Sequence, residues 1–250
     1  MLKLAKKSIR AVLKSQGFAL YNTNLPRVYS EDNLSTDHNH SFVKDPRFIA
    51  AYDRAKQANG GVDHMMRWRA HVAFWAARHA VSLKGDFVEC GVSTGFLMSG
   101  IMQDLNWNTL ERNCYLFDTF QGLDARYTSE TEAQDGRLKR FSGLREDAVR
   151  ENFAEFQNVH FVVGTVPETL DEVEINEVAY LSLDMNCTAP EIAAFKHFYP
   201  KLVPGGWIVL DDYAYSGYDE QHYAYNDLAK EMGIEILCLP TGQGLVTKQS

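Results

Sequence analysis

Two glycines and two acids in the first half of the chain have the types and spacing of a nucleoside-binding turn. Gly91 and Gly95 follow the apolar run that begins at Phe87, and a helix-forming segment comes next. Without a Cβ, both glycines allow a sharp turn and a close approach to a ligand, and the following helix offers unpaired N–H groups. Asp118 ends the next apolar run, where a carboxylate can accept both hydroxyls of a ribose. The spacing predicts an adenosine-bearing ligand, with an ordinary strand-to-helix turn as the alternative.

Glu89 indicates which adenosine ligand this would be. It stands where the dinucleotide-binding fingerprint has its first glycine. An acid at that position would repel a pyrophosphate but would suit a ligand that carries a cationic amino group. S-adenosylmethionine has an ammonium, a sulfonium and a ribose, and no phosphate, so it is the predicted cofactor.

Three more acids end apolar runs further along the chain. Asp184 follows the run 180–183, and Asp211 and Asp212 follow the run 207–210. The carboxyl ends of parallel strands face one crevice, so these acids should lie near Glu89. Together they could hold Mg²⁺, and Asp184 or Asp211 could act as general base on an acceptor hydroxyl. Capping of the helices that follow is the alternative role.

The order of apolar runs predicts the elements that would position these residues. From residue 85, strands and helices alternate, which is typical of an α/β, doubly wound, mostly parallel sheet. The last two strands are joined by residues 240–244, too short for a crossover helix, and should pair as an antiparallel hairpin. Strands are predicted at 86–91, 114–119, 159–163, 178–184, 206–212, 234–239 and 244–248, and helices at 95–105, 146–156, 190–203 and 219–232.

The segment before this alternation reads as helical. Helices are predicted at 47–59 and 62–82, and residues 1–82 form a predicted N-terminal layer that acts as a lid or an oligomer contact, ahead of a cofactor-binding domain at 83–250. Residues 1–17 have the pattern of a basic amphipathic helix with five Lys or Arg and no acid. Contact with a membrane surface or an acidic partner is one interpretation. Packing on the domain or on a second subunit is the preferred one.

Two polar segments and one series of histidines are further candidates for a functional site. The long segment 120–145 should cover the ligand or shape an acceptor pocket, with a disordered insertion as the alternative. Segment 21–47 contains His38 and His40 beside Asp32 and Asp37, for which a mobile loop is favoured over a metal site. The remaining histidines of interest share a predicted helix face and are expected to serve packing: His64, His71 and His79.

Composition excludes several classes of protein. The 250 residues are 45% hydrophobic with a net charge of −8, which argues against a general nucleic-acid binder. No apolar run is long enough to predict a transmembrane helix. The cysteines form no CxxC pair and are predicted to be buried, reduced thiols of a cytoplasmic protein. They are Cys90, Cys114, Cys187 and Cys238.

At these residues the chain resembles class I S-adenosylmethionine-dependent methyltransferases, and most of all the macrocin/mycinamicin sugar O-methyltransferase family. The resemblance covers most of residues 85–215 in the family's order. The matching stretches are GDFVECGVSTG at 85–95, YLFDTFQGL at 115–123, VRENF at 149–153, VHFVVGTVPETL at 159–170, LSLDMN at 181–186 and FYPKLVPGGWIVLDDYAY at 198–215.

The resemblance implies roles for individual residues. The cofactor's amino-acid and sugar portion would be lined by Glu89, Gly91, Ser93 and Gly95, with Asp118 on the ribose. Two residues after the third strand would border the adenine, Gly164 and Val166. The magnesium-binding acids would be Asp184, Asp211 and Asp212, one of them near the acceptor hydroxyl. Acceptors in the family are hydroxyls of sugars in macrolides and related metabolites.

One position departs from the family. The family has Asp-x-Asp-Leu-Tyr at this place, and in this chain Asn186 replaces the second Asp. An asparagine side chain carries no charge and is a poor base. His222 is a candidate substitute base, although a surface histidine is the preferred interpretation.

The sequence thus predicts an S-adenosylmethionine-dependent O-methyltransferase, with Mg²⁺ as a further cofactor, that acts on a sugar hydroxyl of a glycosylated metabolite or polysaccharide precursor and forms a homo-oligomer. A non-catalytic nucleoside- or partner-binding protein and a nicotinamide oxidoreductase are the alternatives; Glu89 and the terminal hairpin argue against the latter.

Overall fold

A computed structural model describes residues 9, 11–18, 28–140 and 142–249. The chain divides into two compact units, Met1–Ser41 and Phe42–Ser250. In the smaller unit, β1 (Tyr29–Glu31) and β2 (Leu34–Thr36) form an antiparallel hairpin within the segment that the sequence predicted to be irregular. Its turn consists of Asp32 and Asn33, which both adopt positive φ, a conformation that Asp and Asn tolerate better than other side chains.

Only part of the predicted N-terminal helix can be compared with the structure. Residues 11–15 are helical, and residues 1–8 and 10 lie outside the described residues. Ile9 and Val12 would lie on the apolar face of the predicted amphipathic helix, and both are exposed. The role of the basic helix stays a prediction.

The larger unit is built on a mixed sheet, which has seven strands within the described residues. The strands are β3 (Asp86–Cys90), β4 (Cys114–Asp118), β5 (Val159–Val163), β6 (Val178–Leu183), β7 (Leu202–Leu210), β8 (Leu237–Cys238) and β9 (Gly244–Thr247). Their order is β5-β4-β3-β6-β7-β9-β8; neighbours from β5 to β7 are parallel, and β9 is antiparallel to both β7 and β8. The doubly wound α/β fold and the antiparallel terminal hairpin are confirmed. Strand order reverses between β3 and β6, which is where sheets of this type bind ligands.

Helices cover both faces of this sheet. Alternate residues of each central strand enter two separate apolar clusters, as the side-chain period of a strand requires. One cluster joins the sheet to α1 (Pro46–Ala58), α2 (Arg67–Ala80), α3 (Phe96–Leu105) and α6 (Glu146–Phe153). The other joins it to α7 (Thr188–Phe198) and α8 (Asp219–Met232). Two short helices lie between β4 and α6, namely α4 (Glu130–Gln134) and α5 (Arg137–Arg140).

The larger unit begins at residue 42, whereas the sequence placed a division at 82/83. Helices α1 and α2 belong to the same unit as the sheet because their apolar faces, including Phe48 and Phe74, share one buried cluster with Phe87 and Tyr180 of the strands. A lid or oligomer role for residues 1–82 stays a prediction.

Some local expectations need correction. Segment 120–145 contains α4 and α5 where no regular element was predicted. Three of the four free cysteines are buried, but Cys238 is exposed because β8 is a two-residue strand at the edge of the sheet. Histidines 64, 71 and 79 do serve packing: each ring contacts an aromatic ring, those of Phe96, Phe42 and Trp75. Among the described residues, no helix is both long and apolar enough to cross a membrane.

Candidate active site

Parallel strand ends bring the predicted acids to one edge of the sheet. The hydrogen-bond ladder continues one residue past the strands: the Asp184 N–H donates to the Cys90 carbonyl at 2.9 Å, and the Asp211 N–H donates to the Leu183 carbonyl at 3.0 Å. Asp184 and Asp211 therefore leave β6 and β7 at the level where β3 gives way to the glycine turn. This backbone pairing is what makes the acids neighbours, as the sequence predicted.

The glycine turn has the conformation that its residue types indicate. Gly91, Ser93 and Gly95 all have positive φ, at 91°, 51° and 85°. A Cβ on Gly91 would lie 2.0 Å from the carbonyl oxygen of Asp184, so no other residue fits there. Helix α3 begins directly after Gly95 and has no side-chain cap, which leaves its first N–H groups facing the turn.

Asp118 ties this turn to β4. Its Oδ2 accepts the N–H groups of Val92 and Ser93 at 2.7 and 2.8 Å, and its Oδ1 accepts that of Phe120 at 2.7 Å. Each carboxylate oxygen has two lone pairs, so Oδ1 keeps capacity for a ribose hydroxyl. Burial raises the pKa of Asp118, while the backbone N–H groups act in the opposite direction.

Glu89 is a buried acid without a partner for one of its oxygens. The residue is 2% exposed, and its Oε2 has no hydrogen bond within the described part of the chain. Burial, and then the charges of Asp118 and Asp211, raise the pKa of Glu89 well above its ordinary value. A buried, unpaired carboxylate is costly unless a cation neutralises it, which is what an ammonium group would do.

Asp184 is oriented by the residue that departs from the family. The Asn186 Nδ2 donates to Asp184 Oδ1 at 3.0 Å, and the Asn186 Oδ1 accepts the Tyr218 hydroxyl at 2.5 Å. Asn186 sits at φ 57°, a left-handed conformation that Asn tolerates. Burial and the neighbouring charges of Asp211 and Asp212 raise the pKa of Asp184 well above its ordinary value.

Glu191 was not predicted as a site residue, yet it holds the loop that carries Asp184. It is fully buried on α7, and its Oε1 accepts the N–H groups of Met185 and Asn186 at 2.9 and 3.2 Å. Its Oε2 accepts Gln221 Nε2 and the Tyr225 hydroxyl. Burial, and then the charge of Asp212, raise the pKa of Glu191 to about 8. The signal in the sequence was an acid inside an otherwise apolar stretch of predicted helix.

A second unpredicted residue, Arg69 of α2, forms a buried ion cluster with the two acids after β7. Its Nη2 lies 2.8 Å from Asp212 Oδ1 and also bonds Asp211 Oδ2, while its Nε is 3.2 Å from Asp211 Oδ1. Gln243 Nε2 donates to that same Oδ1 of Asp211 at 2.9 Å. No local pattern could have revealed Arg69, because it stands 142 residues before Asp211.

Residues 120–140, which we call the cap segment, are hydrogen-bonded to the loop that follows β6. Glu132 is 1% exposed and accepts the N–H and the hydroxyl of Thr188 at 2.8 and 2.7 Å. Arg137 is 4% exposed and donates to the carbonyls of Asn186 and Gly217 at 3.2 and 2.6 Å. Its guanidinium also lies 4.0 Å from the centroid of the Tyr218 ring. The cap segment therefore adjoins the Asp184 loop directly.

The remaining candidates have simpler surroundings. The Gly164 N–H donates to the Asp118 carbonyl at 3.0 Å, and Val166, two residues further along the chain, is buried. The contact of these two residues with an adenine stays a prediction. His222 is not suited to be the base, because its Nδ1 lies 3.0 Å from the Tyr213 carbonyl and its Nε2 lies 3.0 Å from the Asn226 amide.

Comparison with protein families identifies the chain's relatives. The model of the macrocin-O-methyltransferase (TylF) family matches residues 31–235. The chain belongs to this family. Its turn, Asp118 and the acids after β6 and β7 all lie inside the matched region.

Curated relatives are more distant. Demethyldecarbamoylnovobiocin O-methyltransferase of Streptomyces niveus is 28% identical over 143 residues, which cover 53% of this chain and 54% of the relative. Mycinamicin III 3''-O-methyltransferase of Micromonospora griseorubida is 25% identical over 157 residues, which cover 57% of this chain and 61% of the relative. The chain thus matches between half and two thirds of the length of these proteins.

Solved structures share the fold. The O-methyltransferase NovP superposes with a TM-score of 0.66 at 18% identity, over 85% of this chain and 100% of NovP. The calicheamicin methyltransferase CalS11 superposes with a TM-score of 0.60 at 14% identity, over 81% of this chain and 93% of CalS11. At these identities the likeness supports the fold alone.

Proposed function

We propose that this protein transfers the methyl group of S-adenosylmethionine to a hydroxyl of a sugar-bearing small molecule. The observation that carries the proposal is the buried, unpaired carboxylate of Glu89 beside the glycine turn and Asp118, at the switch point of the sheet. A cationic amino-acid group beside Glu89 and a ribose beside Asp118 would match both acids. Membership in a family of sugar O-methyltransferases supports the same cofactor.

Charge around the site also favours a cationic cofactor. Burial, and then neighbouring carboxylates, raise the pKa values of four acids of the site: Glu89, Asp184, Asp212 and Glu191. The neighbouring charges are those of Asp118, Asp211 and Asp212. Among the described residues, Arg69 bonds directly to Asp212 and to its neighbour Asp211. A sulfonium and an ammonium would relieve the excess negative charge, whereas a pyrophosphate would add to it.

Asp184 is the group that we assign to the acceptor's proton. Its Oδ1 accepts a hydrogen bond from the Asn186 amide, and we assign its Oδ2 to the acceptor hydroxyl. In the transfer, the acceptor oxygen forms a bond to the methyl carbon, the carbon–sulfur bond breaks with its electron pair going to sulfur, and Asp184 takes the hydroxyl proton. Positioning the oxygen in line with the methyl supplies much of the rate enhancement in such a step.

The acceptor class comes from the relatives. One relative is named for O-methylation at the 3'' position of mycinamicin III, and a third, of Streptomyces olivaceus, for the 4' position of a rhamnosyl-bearing tetracenomycin. We propose the same class here, with the cap segment shaping the acceptor pocket beside Asp184.

A direct assay follows S-adenosylhomocysteine release from S-adenosylmethionine with a panel of acceptors: deoxysugar nucleotides, macrolide glycosides and matched aglycones. Turnover with glycosylated acceptors and none with aglycones is the expected result. Turnover that requires no sugar would contradict the acceptor class. Tight cofactor binding without turnover on any hydroxyl acceptor would favour the non-catalytic alternative.

We also propose that the protein forms a homo-oligomer and that it works in the cytoplasm, which is a reducing compartment. Trp75 on α2 is 37% exposed and packs edge-to-face on Trp207 with centroids 5.0 Å apart, which gives the unit an aromatic surface that a second copy could cover. The four free cysteines agree with a reducing compartment. Light scattering after gel filtration tests the oligomer, and a monomer mass would refute it.

A further inference from the structure

The strongest unexplained feature of the site is the buried cation among its acids. Arg69 is 7% exposed, and its Nη2 group donates to the Asp211 carbonyl at 3.0 Å as well as to the two carboxylates. The ring of Tyr215 lies 4.8 Å from the guanidinium carbon and covers it. Arginine in this arrangement is a fixed positive charge, since a guanidinium keeps its proton in proteins.

The predicted Mg²⁺ site does not fit these side chains. Both oxygens of Asp211 accept N–H groups, Oδ1 from Arg69 and Gln243 and Oδ2 from Arg69. One oxygen of Asp212 also accepts Arg69. Magnesium needs octahedral oxygen ligands with lone pairs directed at it, whereas the Arg69 fork occupies lone pairs on both acids and its positive charge repels a cation from the same place. In the part of the chain that is described, no group of three or more His, Cys, Asp or Glu is arranged to hold a metal.

Asn186 points the same way. A metal ligand would present its amide oxygen to the ion, but here that oxygen accepts the Tyr218 hydroxyl. The amide nitrogen is the group turned toward Asp184. The main-chain carbonyl of Asn186 also accepts a hydrogen bond, from Arg137. The residue that replaces the family's second acid is therefore placed to orient a carboxylate by hydrogen bonding, not to bind a cation.

We propose that Arg69 takes the place of the predicted magnesium ion, so that this protein's site is complete without a divalent metal. Arg69 offsets part of the negative charge of Asp211 and Asp212 and fixes their orientation, and Asn186 orients Asp184. Arg69 and Asn186 are positioning residues; Asp184 alone meets the acceptor. The catalytic consequence rests on the proposed methyl transfer, whereas the absence of a metal requirement can be measured without it.

The first experiment is a titration of the protein with Mn²⁺, in which electron paramagnetic resonance measures the concentration of the free ion. The expected result is no site at sub-millimolar Mn²⁺ and no rise in the thermal midpoint with Mg²⁺ or Mn²⁺. One tight Mn²⁺ per chain, lost in Asp211→Asn, would overturn the proposal.

The second experiment removes the internal cation. Arg69→Met leaves Asp211, Asp212 and Asp184 uncompensated, so the variant should gain Mn²⁺ binding and a midpoint that rises by several degrees with the metal, as binding to the folded state requires. Arg78→Met is the matched control: Arg78 lies on the same helix and pairs with the buried Asp104, away from the cluster. A folded Arg69→Met that gains no more Mn²⁺ affinity than Arg78→Met would contradict the proposal. If Arg69→Met does not fold, the wild-type titration decides, since it needs no variant.

A third measurement separates this inference from the proposed function. Binding of S-adenosylhomocysteine in chelator and in millimolar Mg²⁺ should give dissociation constants within about twofold of each other, a difference well below the tenfold that 1.4 kcal/mol represents. Binding that appears only with Mg²⁺ would overturn the metal-free site while supporting the cofactor. Absence of binding under both conditions would count against the proposed function, and the Mn²⁺ titration would still decide the role of Arg69.

Discussion

At the scale of single residues, the site depends on positions where only one type of residue can serve. Gly91 must be glycine because the Asp184 carbonyl occupies the place of a Cβ, and Glu89 is useful because it is buried and unpaired. Glycine turns and acids at strand ends are local patterns, so sequence alone predicts them. Arg69 and Glu191 could not be predicted, since their roles depend on partners that the fold brings from distant segments or on which helix face is buried.

Replacement of Asp184 tests the catalytic assignment. Asp184→Asn keeps the size and the hydrogen bond to Asn186 but removes the proton acceptor, so kcat should fall about 100-fold or more. The dissociation constant of S-adenosylhomocysteine should stay nearly unchanged. Steady-state kinetics and calorimetry measure the two effects, and Asp219→Asn, an exposed acid at the start of α8, is the control. Full turnover in Asp184→Asn would exclude this residue as the base.

Replacement of Gly91 tests the turn. Gly91→Ala should lower the free energy of unfolding by about 3 kcal/mol and weaken cofactor binding, because the Cβ forces β3 away from the Asp184 loop. Gly217→Ala is the matched control: Gly217 has the same φ of 91° but nothing within 4 Å of its Cβ position. Gly217→Ala should lower the free energy of unfolding by only about 1 kcal/mol. Equal losses in urea unfolding would show that backbone strain, not the close approach, explains Gly91.

At the scale of elements, parallel strands position the site and the cap segment completes it. The sequence predicted the five parallel strands because their apolar runs end at glycines or acids, although β7 begins at Leu202 and not at 206. It predicted β8 at 234–239, of which only Leu237–Cys238 form a strand. It also predicted a functional role for residues 120–145, which stays untested. It missed α4 and α5, since a polar stretch with only a single capping box, Ser129 to Glu132, shows little helical periodicity.

Loosening the cap segment should impair acceptor binding more than cofactor binding. Arg137→Met removes the buried hydrogen bonds to the carbonyls of Asn186 and Gly217, each charge-assisted bond being worth about 1.5–3 kcal/mol. The expected result is a rise of about tenfold in the acceptor KM, the equivalent of 1.4 kcal/mol. Lys139→Met, an exposed basic residue of the same short helix, should leave KM unchanged. A variant whose cofactor affinity falls while its acceptor KM does not would refute the assignment of the cap segment to the acceptor.

At the scale of the whole molecule, helices α1 and α2 are part of the core, so stability and site are linked. Helix α2 carries Arg69 into the acid cluster and also carries His71, which stacks on Phe42 with ring centroids 4.0 Å apart. The sequence assigned both helices to a separate layer because their apolar stripes do not reveal which surface they cover. Only the packed structure shows that they lie on the sheet.

His71 should make the protein sensitive to mild acid. Burial lowers its pKa to about 4 in the folded state, against roughly 6.5 in the unfolded chain. Between these values the unfolded chain binds the extra proton, so the stability that neutral His71 allows is fully present above pH 6.5 and is lost as the pH falls toward 4. His71→Phe keeps the stacking and removes the proton site. Between pH 7 and pH 5 its free energy of unfolding should fall by about 2 kcal/mol less than that of the wild type. Equal losses in urea titrations would contradict this.

Calorimetry of the wild-type protein with S-adenosylhomocysteine, and with NAD as the competing adenosine ligand, tests whether Glu89 and Asp118 bind the proposed cofactor. We expect one S-adenosylhomocysteine site of micromolar affinity per chain and no binding of NAD, because Glu89 and its acidic neighbours favour an ammonium and repel a pyrophosphate. A protein that binds NAD, or that binds neither ligand, would contradict the assignment of Glu89 and Asp118 and the methyltransferase function built on them.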